Sequence, residues 1–410
     1  MRTRGYFGET RHRRMLAEYP LGRAFLAGVA RLSRDELRAL QERRFRSVLA
    51  RAWQVPFYRR RWGAKGIEPG DIRGLDDIAR LPPFSKSDLM QSVAEHPPFG
   101  DYHGVDLAAG ERPSVVFHTT SGTTGAPQPV FFGAWDREVQ NLLLARAYLF
   151  QGLRPDDVVH SVYGFGMVNG GHYVREALLH FTKCLVLPAG TGLETRSEQQ
   201  VALMRAFGAT VIVGFVDYIK RLAQVARGQG IEPGRDIKVR MISGHVGQED
   251  RGAIAAAWGG AEVFDWYGVA DTGIIAADGP ERDGLHVWED AHYLEIVDPD
   301  THAPRSDGEP GNMCVTALFK DGVYPIVRFD TNDVSAFLPA GAAARGSVFR
   351  RIRGFQGRSD QMVKLRGINV YPTAIGSHLG EHPAATGEYV CRVERRDGRD
   401  EMTVVVEVRP

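Results

Sequence analysis

The chain has 410 residues, 43% of them hydrophobic and 25% charged, with 51 lysines and arginines against 50 aspartates and glutamates. A chain of this size can bury a large core without disulfides or structural metals. Its net charge of +1 lacks the basic excess of nucleic-acid-binding proteins, and no apolar run reaches the ~18 residues that cross a bilayer. The composition therefore predicts a protein that binds neither nucleic acid nor membrane.

Lysine and cysteine are both scarce, and this limits the reactions and the kinds of site that the chain can support. Only seven residues are lysines, so a reaction that needs a lysine has few candidates. Cys184, Cys314 and Cys391 are far apart and form no Cys-x-x-Cys pair, so neither a disulfide framework nor a thiolate metal site is indicated. Because no secretory signal follows the basic N-terminus, we expect a cytoplasmic protein.

The first hundred residues are predicted to be helical. Residues 32–53 carry apolar side chains at helical spacing with arginines on the other face, and the pairs Pro82-Pro83 and Pro97-Pro98 end this segment. From Ser114 onward, short β-branched runs such as PSVVFHTT and ATVIVGFV alternate with amphipathic segments. This alternation predicts a largely parallel sheet covered by helices.

A second β-rich stretch runs from LHVWEDAHYLEIVDPDT through GNMCVTALF to YPIVRFDT and is typical of antiparallel strands. The sequence pattern changes again after Gly357, which indicates a separate small unit. We therefore predict an α/β fold in two domains. A large N-terminal domain, residues 1–357, contains helix-covered, mainly parallel sheets plus a β-rich subdomain, and a small, mobile α+β C-terminal domain, residues 358–410, is shortened.

The most informative segment has the sequence HTTSGTTGA, from His118 to Ala126. It follows an apolar run, so we expect it at the end of a strand, where backbone amides and hydroxyls can surround an anion. The hydroxyls belong to Thr120, Ser121, Thr123 and Thr124, and the glycines are Gly122 and Gly125. The segment lacks the ending of a Walker loop, and taken alone it indicates a plain turn as readily as a phosphate site.

Three further segments follow in a characteristic order: FDWYGVAD, VRFDTNDVS and GRSDQMVKLRGINVYP. With TTSGTTGAP, they make the chain resemble the adenylate-forming enzymes, the acyl-CoA and aryl-CoA synthetases, and most closely their phenylacetate-CoA ligase branch. The resemblance spans about residues 40–410. It implies that the carboxylate of a small aromatic acid attacks the α-phosphate of ATP, that pyrophosphate leaves, and that the acyl-adenylate then reacts with coenzyme A. Such chemistry depends on holding charged oxygens in line and stabilising negative charge.

The resemblance also implies roles for individual residues. Thr123 and Thr124 lead the phosphate-binding candidates, with Thr120, Ser121, Gly122 and Gly125 beside them. Tyr267 and Gly268 are expected on one face of the adenine, with Gly244 and His245 on the other. Asp333 is expected to accept hydrogen bonds from both ribose hydroxyls. Asp271 is the magnesium candidate, since Mg²⁺ prefers hard oxygen ligands. Arg358 would reach the ribose or a phosphate, Asp360 would be the hinge, and Gly367 would line the pantetheine tunnel.

The acyl pocket implied by the resemblance is a flat apolar slot suited to an aromatic acid. Its expected residues are Tyr163, Phe165, Gly170, His172, Phe215 and Asp217. Asp217 has two interpretations: an exposed helix N-cap, or a polar anchor for an amino or hydroxyl group on the ring.

Several positions depart from the family pattern. Ala126 replaces the lysine that usually ends the phosphate loop, Asp271 replaces a glutamate, and Gly376 replaces another glutamate. No lysine follows Lys364, although the family's catalytic lysine lies near the end of the C-terminal domain. The sequence is therefore interpreted either as a shortened chain or as a protein that lost that step, and the strand-like ending EMTVVVEVRP favours the first.

Other interpretations stay open at the level of sequence. The acceptor could be an amine, a carrier-protein thiol or nitrite instead of coenzyme A, and a non-catalytic nucleotide-binding protein is a third alternative. A homodimer is a compatible assembly. The cluster of His286, Glu289, Asp290 and His292 could bind a metal, but polar side chains on a half-buried strand are commoner.

Overall fold

A computed structural model describes residues 5–120, 126–339, 347–361, 363–365, 368–370, 372–379, 382, 384–396 and 399–408. The N-terminal hundred residues are helical, as predicted. Their α-helices are α1 (Tyr6–Glu9), α2 (His12–Glu18), α3 (Gly22–Ala27), α4 (Arg34–Ala52), α5 (Pro56–Gly63) and α6 (Lys86–Glu95), with 3-10 helices at Val29–Arg31 and Leu75–Arg80. Within the described residues, no helix combines the length and the apolarity needed to cross a membrane.

Helix α4 shows why the predicted periodicity gives a helix. Ser33 and Glu36 form a capping box at its start, in which each side chain bonds the other residue's backbone N–H. Leu37, Phe45 and Val48 are completely buried at helical spacing. The arginines of the same helix point outward or bond to neighbouring segments, so the expected basic face over an apolar stripe is confirmed.

The remaining helices and strands follow in chain order. The strands up to residue 352 are β1 (Val115–Thr119), β2 (Pro129–Gly133), β3 (Val158–Ser161), β4 (Leu185–Pro188), β5 (Val211–Phe215), β6 (Met241–His245), β7 (Glu262–Val269), β8 (Gly273–Asp278), β9 (Leu285–Val287), β10 (His292–Val297), β11 (Gly311–Ala317), β12 (Phe329–Ser335) and β13 (Arg351–Ile352). The helices between them are α7 (Ala134–Phe150), α8 (Gly170–Phe181), α9 (Ser197–Ala206), α10 (Val216–Gly228) and α11 (Arg251–Ala257).

The largest sheet has the order β13-β9-β8-β7-β6-β5-β3-β4. Strands β4, β3, β5, β6 and β7 are parallel, whereas β7, β8, β9 and β13 pair antiparallel. The second β-rich stretch begins with β9 in the large sheet, and its remaining strands form a separate antiparallel sheet, β10-β11-β12. The expected α/β fold with a parallel-rich sheet and an antiparallel subdomain is therefore confirmed.

One strand differs from its predicted partner. The run PSVVFHTT was expected to join the parallel sheet, but β1 pairs antiparallel with β2 in a hairpin of its own. The reason is the short loop between them, because a parallel connection needs a crossover of a dozen or more residues. Helix α7 follows β2 directly and is almost entirely buried, so it forms the centre of the large core.

The C-terminal segment carries a 3-10 helix (Ser359–Gln361), strands β14 (Val363–Leu365) and β15 (Ile368–Val370), helix α12 (Pro372–Leu379) and strands β16 (Ala385–Arg396) and β17 (Arg399–Val408). Strands β14 and β15 pair with each other, as do β16 and β17. The Tyr389 hydroxyl donates to the Pro372 carbonyl oxygen at 2.8 Å and joins the long hairpin to α12. The predicted mixture of helix and strand is present, and the boundary at residue 357 stays a prediction.

Candidate active site

The expected nucleotide-binding residues meet where several strands end. Strands β5 and β6 run parallel, and Phe215 and His245 end them at adjacent positions. Tyr267 lies near the same end of β7, which is parallel to β6. Since the carboxyl ends of parallel strands share one edge of a sheet, ligands of open α/β sheets bind there.

Tyr267, Asp333 and Arg358 form one hydrogen-bonded group. The Tyr267 hydroxyl donates to Asp333 Oδ2 at 2.8 Å, and Arg358 Nη1 donates to Asp333 Oδ1 at 3.0 Å. Tyr267 and Asp333 are buried, while Arg358 is partly exposed. Asp333 is therefore in direct contact with a motif residue 66 positions before it and with another 25 positions after it.

The expected hinge segment pairs with the end of β12. The Val334 N–H donates to the Gly357 carbonyl oxygen at 2.8 Å, and the Gln356 N–H donates to the Val334 carbonyl oxygen at 2.9 Å. Arg358 also donates to both carboxylate oxygens of Asp360, at 2.9 and 2.6 Å. One guanidinium thus joins Asp333 to Asp360, so a rotation at the hinge would have to break or carry this ion pair.

Burial raises the pKa of Asp333 to about 6, because loss of water disfavours its charge more than Tyr267 and Arg358 favour it. An ionised carboxylate offers more acceptor sites to the two ribose hydroxyls, and makes stronger hydrogen bonds to them, than a protonated carboxyl does. We therefore expect the KM for ATP to rise as the pH falls through about 6. Initial rates across that range check this, and Asp333→Asn, which cannot titrate, should give a flat KM; an unchanged wild-type KM would contradict the assignment.

The segment after β6 is fixed by close packing and by Asp265. A Cβ at Gly244 would lie 1.9 Å from the Gly214 carbonyl oxygen, so only glycine fits between β5 and β6 there. Asp265 accepts hydrogen bonds from the backbone N–H of Val246 at 2.8 Å and of Gly247 at 3.3 Å. Sequence reasoning missed Asp265, although its position two residues before Tyr267 was visible in the motif.

The base of the expected phosphate loop is closed by two reciprocal hydrogen bonds. The Thr120 N–H donates to the Gln128 carbonyl oxygen, and the Gln128 N–H donates to Thr120 Oγ1, both at 3.0 Å. The predicted position at the end of a strand is confirmed, because β1 ends at Thr119. Ser121, Gly122, Thr123, Thr124, Gly125 and, in the C-terminal segment, Gly367 lie outside the described residues, and their roles stay predictions.

Asp271 lies beside this loop base. Its Oδ1 accepts hydrogen bonds from Gln128 Nε2 at 2.7 Å and from the Tyr324 hydroxyl at 2.8 Å. Burial raises the pKa of Asp271, and Gln128 Oε1 is a buried oxygen without a hydrogen-bond partner among the described residues. A carboxylate next to an unpaired amide oxygen is a set of hard oxygen donors of the kind that Mg²⁺ takes.

Lys320 is a buried cation near Asp271. Its Nζ donates to the Phe131 carbonyl oxygen at 3.1 Å and lies 4.4 and 4.8 Å from the ring centres of Phe132 and Tyr324. Burial lowers the pKa of Lys320 to about 8. Sequence reasoning noted the scarcity of lysine but did not assign this one, because nothing in its local motif indicated that it would be buried beside the site.

The residues expected in the acyl pocket fall into two groups. Tyr163 and Phe215 touch each other with ring centres 5.1 Å apart, and Gly170 lies next to the Tyr163 ring. Phe165 and His172 touch each other at 5.3 Å. His172 in turn faces His118 at 5.4 Å, which places this second group next to the phosphate loop. Trp266, which sequence reasoning did not include, joins the first group, 6.3 Å from Tyr163.

Asp217 lies in the first turn of α10 and is 83% exposed. Its Oδ1 forms an ion pair with Lys220 Nζ at 2.9 Å. The N-cap position belongs to Phe215, so the N-cap interpretation was wrong by two residues. An exposed carboxylate paired with a lysine one turn later is an ordinary feature of a helix start.

The cluster between His286 and His292 is built of ion pairs. Asp290 is bound by Arg146, and Glu289 by Arg34, each at 2.8 Å. A turn separates β9 from β10, so these residues do not share the face of one strand as expected. Among the described residues, no group of three histidine, cysteine or acidic side chains is arranged to hold a metal.

Comparison with known protein families identifies the family to which this chain belongs. The AMP-binding enzyme family matches residues 78–318, and the AMP-binding enzyme C-terminal domain matches residues 367–410. The chain belongs to the family of AMP-binding enzymes.

Curated relatives show which branch of that family the chain resembles. A phenylacetate-coenzyme A ligase of Aromatoleum evansii is 32% identical over 394 residues, which cover 94% of this chain and 84% of the relative. The phenylacetate-coenzyme A ligase of Thermus thermophilus is 34% identical and covers 92% of this chain and 82% of the relative. The predicted resemblance to the phenylacetate-CoA ligase branch is confirmed.

A solved structure agrees with the same fold. 2-Hydroxyisobutyryl-CoA ligase, in the postadenylation state with its acyl-adenylate, superposes with a TM-score of 0.82 at 26% identity. The match covers 92% of this chain and 80% of that one.

Proposed function

We propose that this protein activates an aromatic carboxylic acid with ATP, releases pyrophosphate and transfers the acyl group from the adenylate to coenzyme A. The observation that carries the proposal is the bonding of Asp333 to Tyr267, near the carboxyl end of β7, and to Arg358, with Asp271 bonded to Gln128 at the base of the expected phosphate loop. The kinship with phenylacetate-coenzyme A ligases supports an aryl acid as the substrate and coenzyme A as the acceptor.

Some residues of the site bind the nucleotide, and others hold those residues in position. Asp333 accepts the ribose hydroxyls, while Tyr267 packs against the adenine and holds Asp333 in place. Arg358 lies at the junction of ribose and hinge, where its charge can favour phosphate oxygens. The loop after Thr120 supplies amides and hydroxyls for the terminal phosphates. Catalysis in this scheme consists of alignment and of charge stabilisation around the α-phosphate.

Magnesium is part of the proposal, with Asp271 as its protein ligand. The ion would neutralise charge on the phosphate oxygens. We expect pyrophosphate release to stop in excess chelator, and Asp271→Asn to raise the Mg²⁺ concentration for half-maximal rate by about tenfold, because one carboxylate charge is lost. The Mg²⁺ titration of both proteins checks this, and an identical midpoint would contradict the role of Asp271.

We also propose a cytoplasmic location and a homodimeric assembly. Cys184, Cys314 and Cys391 are free, which supports a location in the reducing cytoplasm. Measuring the molar mass of the protein in solution tests whether it forms a homodimer.

Pyrophosphate release over a panel of aromatic acids, with and without coenzyme A, tests the function. We expect release that depends on the acid and that turns over many times only with coenzyme A present. Turnover with an amine or a carrier thiol instead would favour the alternative acceptors, and ATP binding without release would favour the non-catalytic protein.

A further inference from the structure

Tyr324 is a buried tyrosine in a backbone conformation that few residues adopt. Its φ is 51°, in the left-handed region that bulky side chains avoid, and its side chain is completely buried. The Tyr324 N–H donates to the His103 carbonyl oxygen at 2.9 Å, so a neighbouring segment helps to hold this conformation. Strained conformations of this kind concentrate at binding and catalytic sites, which directs attention to the contacts of the Tyr324 side chain.

The Tyr324 hydroxyl contacts Asp271, the magnesium candidate. It donates to Asp271 Oδ1 at 2.8 Å, and Gln128 Nε2 donates to the same oxygen at 2.7 Å. Gln128 lies 143 positions before Asp271, whereas Tyr324 lies 53 positions after it. Two donors on one oxygen fix the orientation of the carboxylate and leave its Oδ2 free of both.

Lys320 holds the ring of Tyr324 against β2. Its Nζ lies 4.8 Å from the centre of the Tyr324 ring and donates to the Phe131 carbonyl oxygen on β2 at 3.1 Å. A buried ammonium group over an aromatic ring is attracted to the negative face of that ring. Strand β2 begins directly after Gln128, so the segments that carry Tyr324 and Gln128 are tied together beside Asp271.

The alternative is that Tyr324 is only a core residue. Its ring centre lies 5.0 Å from that of Tyr102, and both rings belong to the large hydrophobic core. Ring packing does not need the hydroxyl, since phenylalanine fills nearly the same volume. The hydroxyl is the part of Tyr324 that contacts Asp271, so removing the hydroxyl alone separates the two roles.

We propose that Tyr324 is a positioning residue, whose hydroxyl holds Asp271 in the orientation that binds Mg²⁺ at the base of the phosphate loop. This inference rests on the proposed function, in which Asp271 is the magnesium ligand. Tyr324 acts through Asp271 and contacts neither the acid nor the nucleotide. It therefore determines how tightly Mg²⁺ is bound, and it leaves the chemistry at the α-phosphate unchanged once the ion is in place.

The experiment compares the Mg²⁺ concentration at half-maximal effect, the Mg²⁺ midpoint, of the wild type and Tyr324→Phe. One midpoint comes from pyrophosphate release and another from calorimetric binding of α,β-methylene-ATP, which cannot release pyrophosphate. Partners that orient a metal ligand contribute about tenfold or more to metal affinity; Gln128 remains, so we expect both midpoints to rise about fivefold. At saturating Mg²⁺, kcat should return to within about twofold of the wild type, because bound Mg²⁺ restores the same reaction.

Two further proteins complete the test. In the Asp271→Asn background, Tyr324→Phe should shift the Mg²⁺ midpoint by less than about twofold, because the carboxylate that Tyr324 positions is absent. Tyr58→Phe is the matched control, since Tyr58 is also buried and its hydroxyl donates to the Pro325 carbonyl oxygen at 2.6 Å. It should leave the Mg²⁺ midpoint unchanged. Tyr324→Leu replaces Tyr324→Phe if that protein does not fold.

A folded Tyr324→Phe or Tyr324→Leu protein with the wild-type Mg²⁺ midpoint would overturn the inference. So would a loss of kcat that saturating Mg²⁺ does not restore, an equal shift in Tyr58→Phe, or a full shift in the double variant. In each case the proposed function stands, because the wild type still releases pyrophosphate. The absence of Mg²⁺-dependent pyrophosphate release by the wild type would instead overturn the proposed function itself.

Discussion

Replacing Asp333 with alanine is expected to lower kcat/KM for ATP by about a hundredfold or more, the scale on which single preorganised polar groups act in active sites. The substitution removes an acceptor of Tyr267 and a carboxylate partner of Arg358 at once. The ribose loses its anchor, the Tyr267 hydroxyl keeps only the longer hydrogen bond to Thr331 Oγ1 at 3.3 Å, and Arg358 keeps Asp360 as its carboxylate partner. Steady-state pyrophosphate release at varied ATP measures the effect.

A matched control separates this effect from a change of surface charge. Asp307 also pairs with an arginine, Arg350, but it is exposed and distant in sequence from the motifs. Asp307→Ala should therefore leave kcat/KM for ATP within about twofold of the wild type, since exposed ion pairs contribute little. Equal losses in both variants, or a near-normal Asp333→Ala enzyme, would contradict the nucleotide role of Asp333.

The second large effect concerns stability. Asp290 and Arg146 are completely buried, and Arg146 Nη1 donates to both carboxylate oxygens at 2.8 and 3.0 Å. Arg146 also lies over the rings of Phe25 and Trp288. Asp290→Ala leaves a buried guanidinium without its counter-ion, which costs about 3–5 kcal/mol. We expect the midpoint of urea unfolding to fall accordingly.

The control for stability is an exposed pair. Arg305 and Asp298 form an ion pair near a surface turn. Asp298 also accepts hydrogen bonds from the backbone N–H groups of Asp300 and Thr301, so Asp298→Ala should lower the free energy of unfolding by about 1–2 kcal/mol, less than the loss of the buried pair. If the two variants unfolded at the same urea concentration, the buried pair would not stabilise the core as its geometry indicates.

Much of the fold could be predicted because its signals are local. The helix predicted for residues 32–53, the alternation of strands with helices, and the strands of the second β-rich stretch are all present in the structure. The motif residues Tyr267, Asp333 and Arg358 were each expected at the nucleotide, and the structure brings them into contact. Their roles in binding remain predictions until the variants are measured.

The rest depended on long-range packing that no local pattern carries. The burial of Lys320 follows from contacts with Phe131 and Phe132 on β2, and Phe131 lies 189 positions earlier in the chain. The sequence left two interpretations of Asp217, and in the structure its side chain lies exposed beside Lys220. Sequence reasoning did not include Trp266, because only the fold brings its ring next to those of Tyr163 and His245.

Transfer of isotope from the acid to AMP tests the central claim most directly. In the proposed reaction, a carboxylate oxygen bonds to the α-phosphorus as pyrophosphate leaves, and the thiol of coenzyme A then takes the acyl carbon. With an aryl acid whose carboxylate carries ¹⁸O, the account predicts AMP with one labelled oxygen together with the aryl-CoA thioester. Label in inorganic phosphate with ADP, or unlabelled AMP beside the thioester, would contradict activation through an acyl-adenylate.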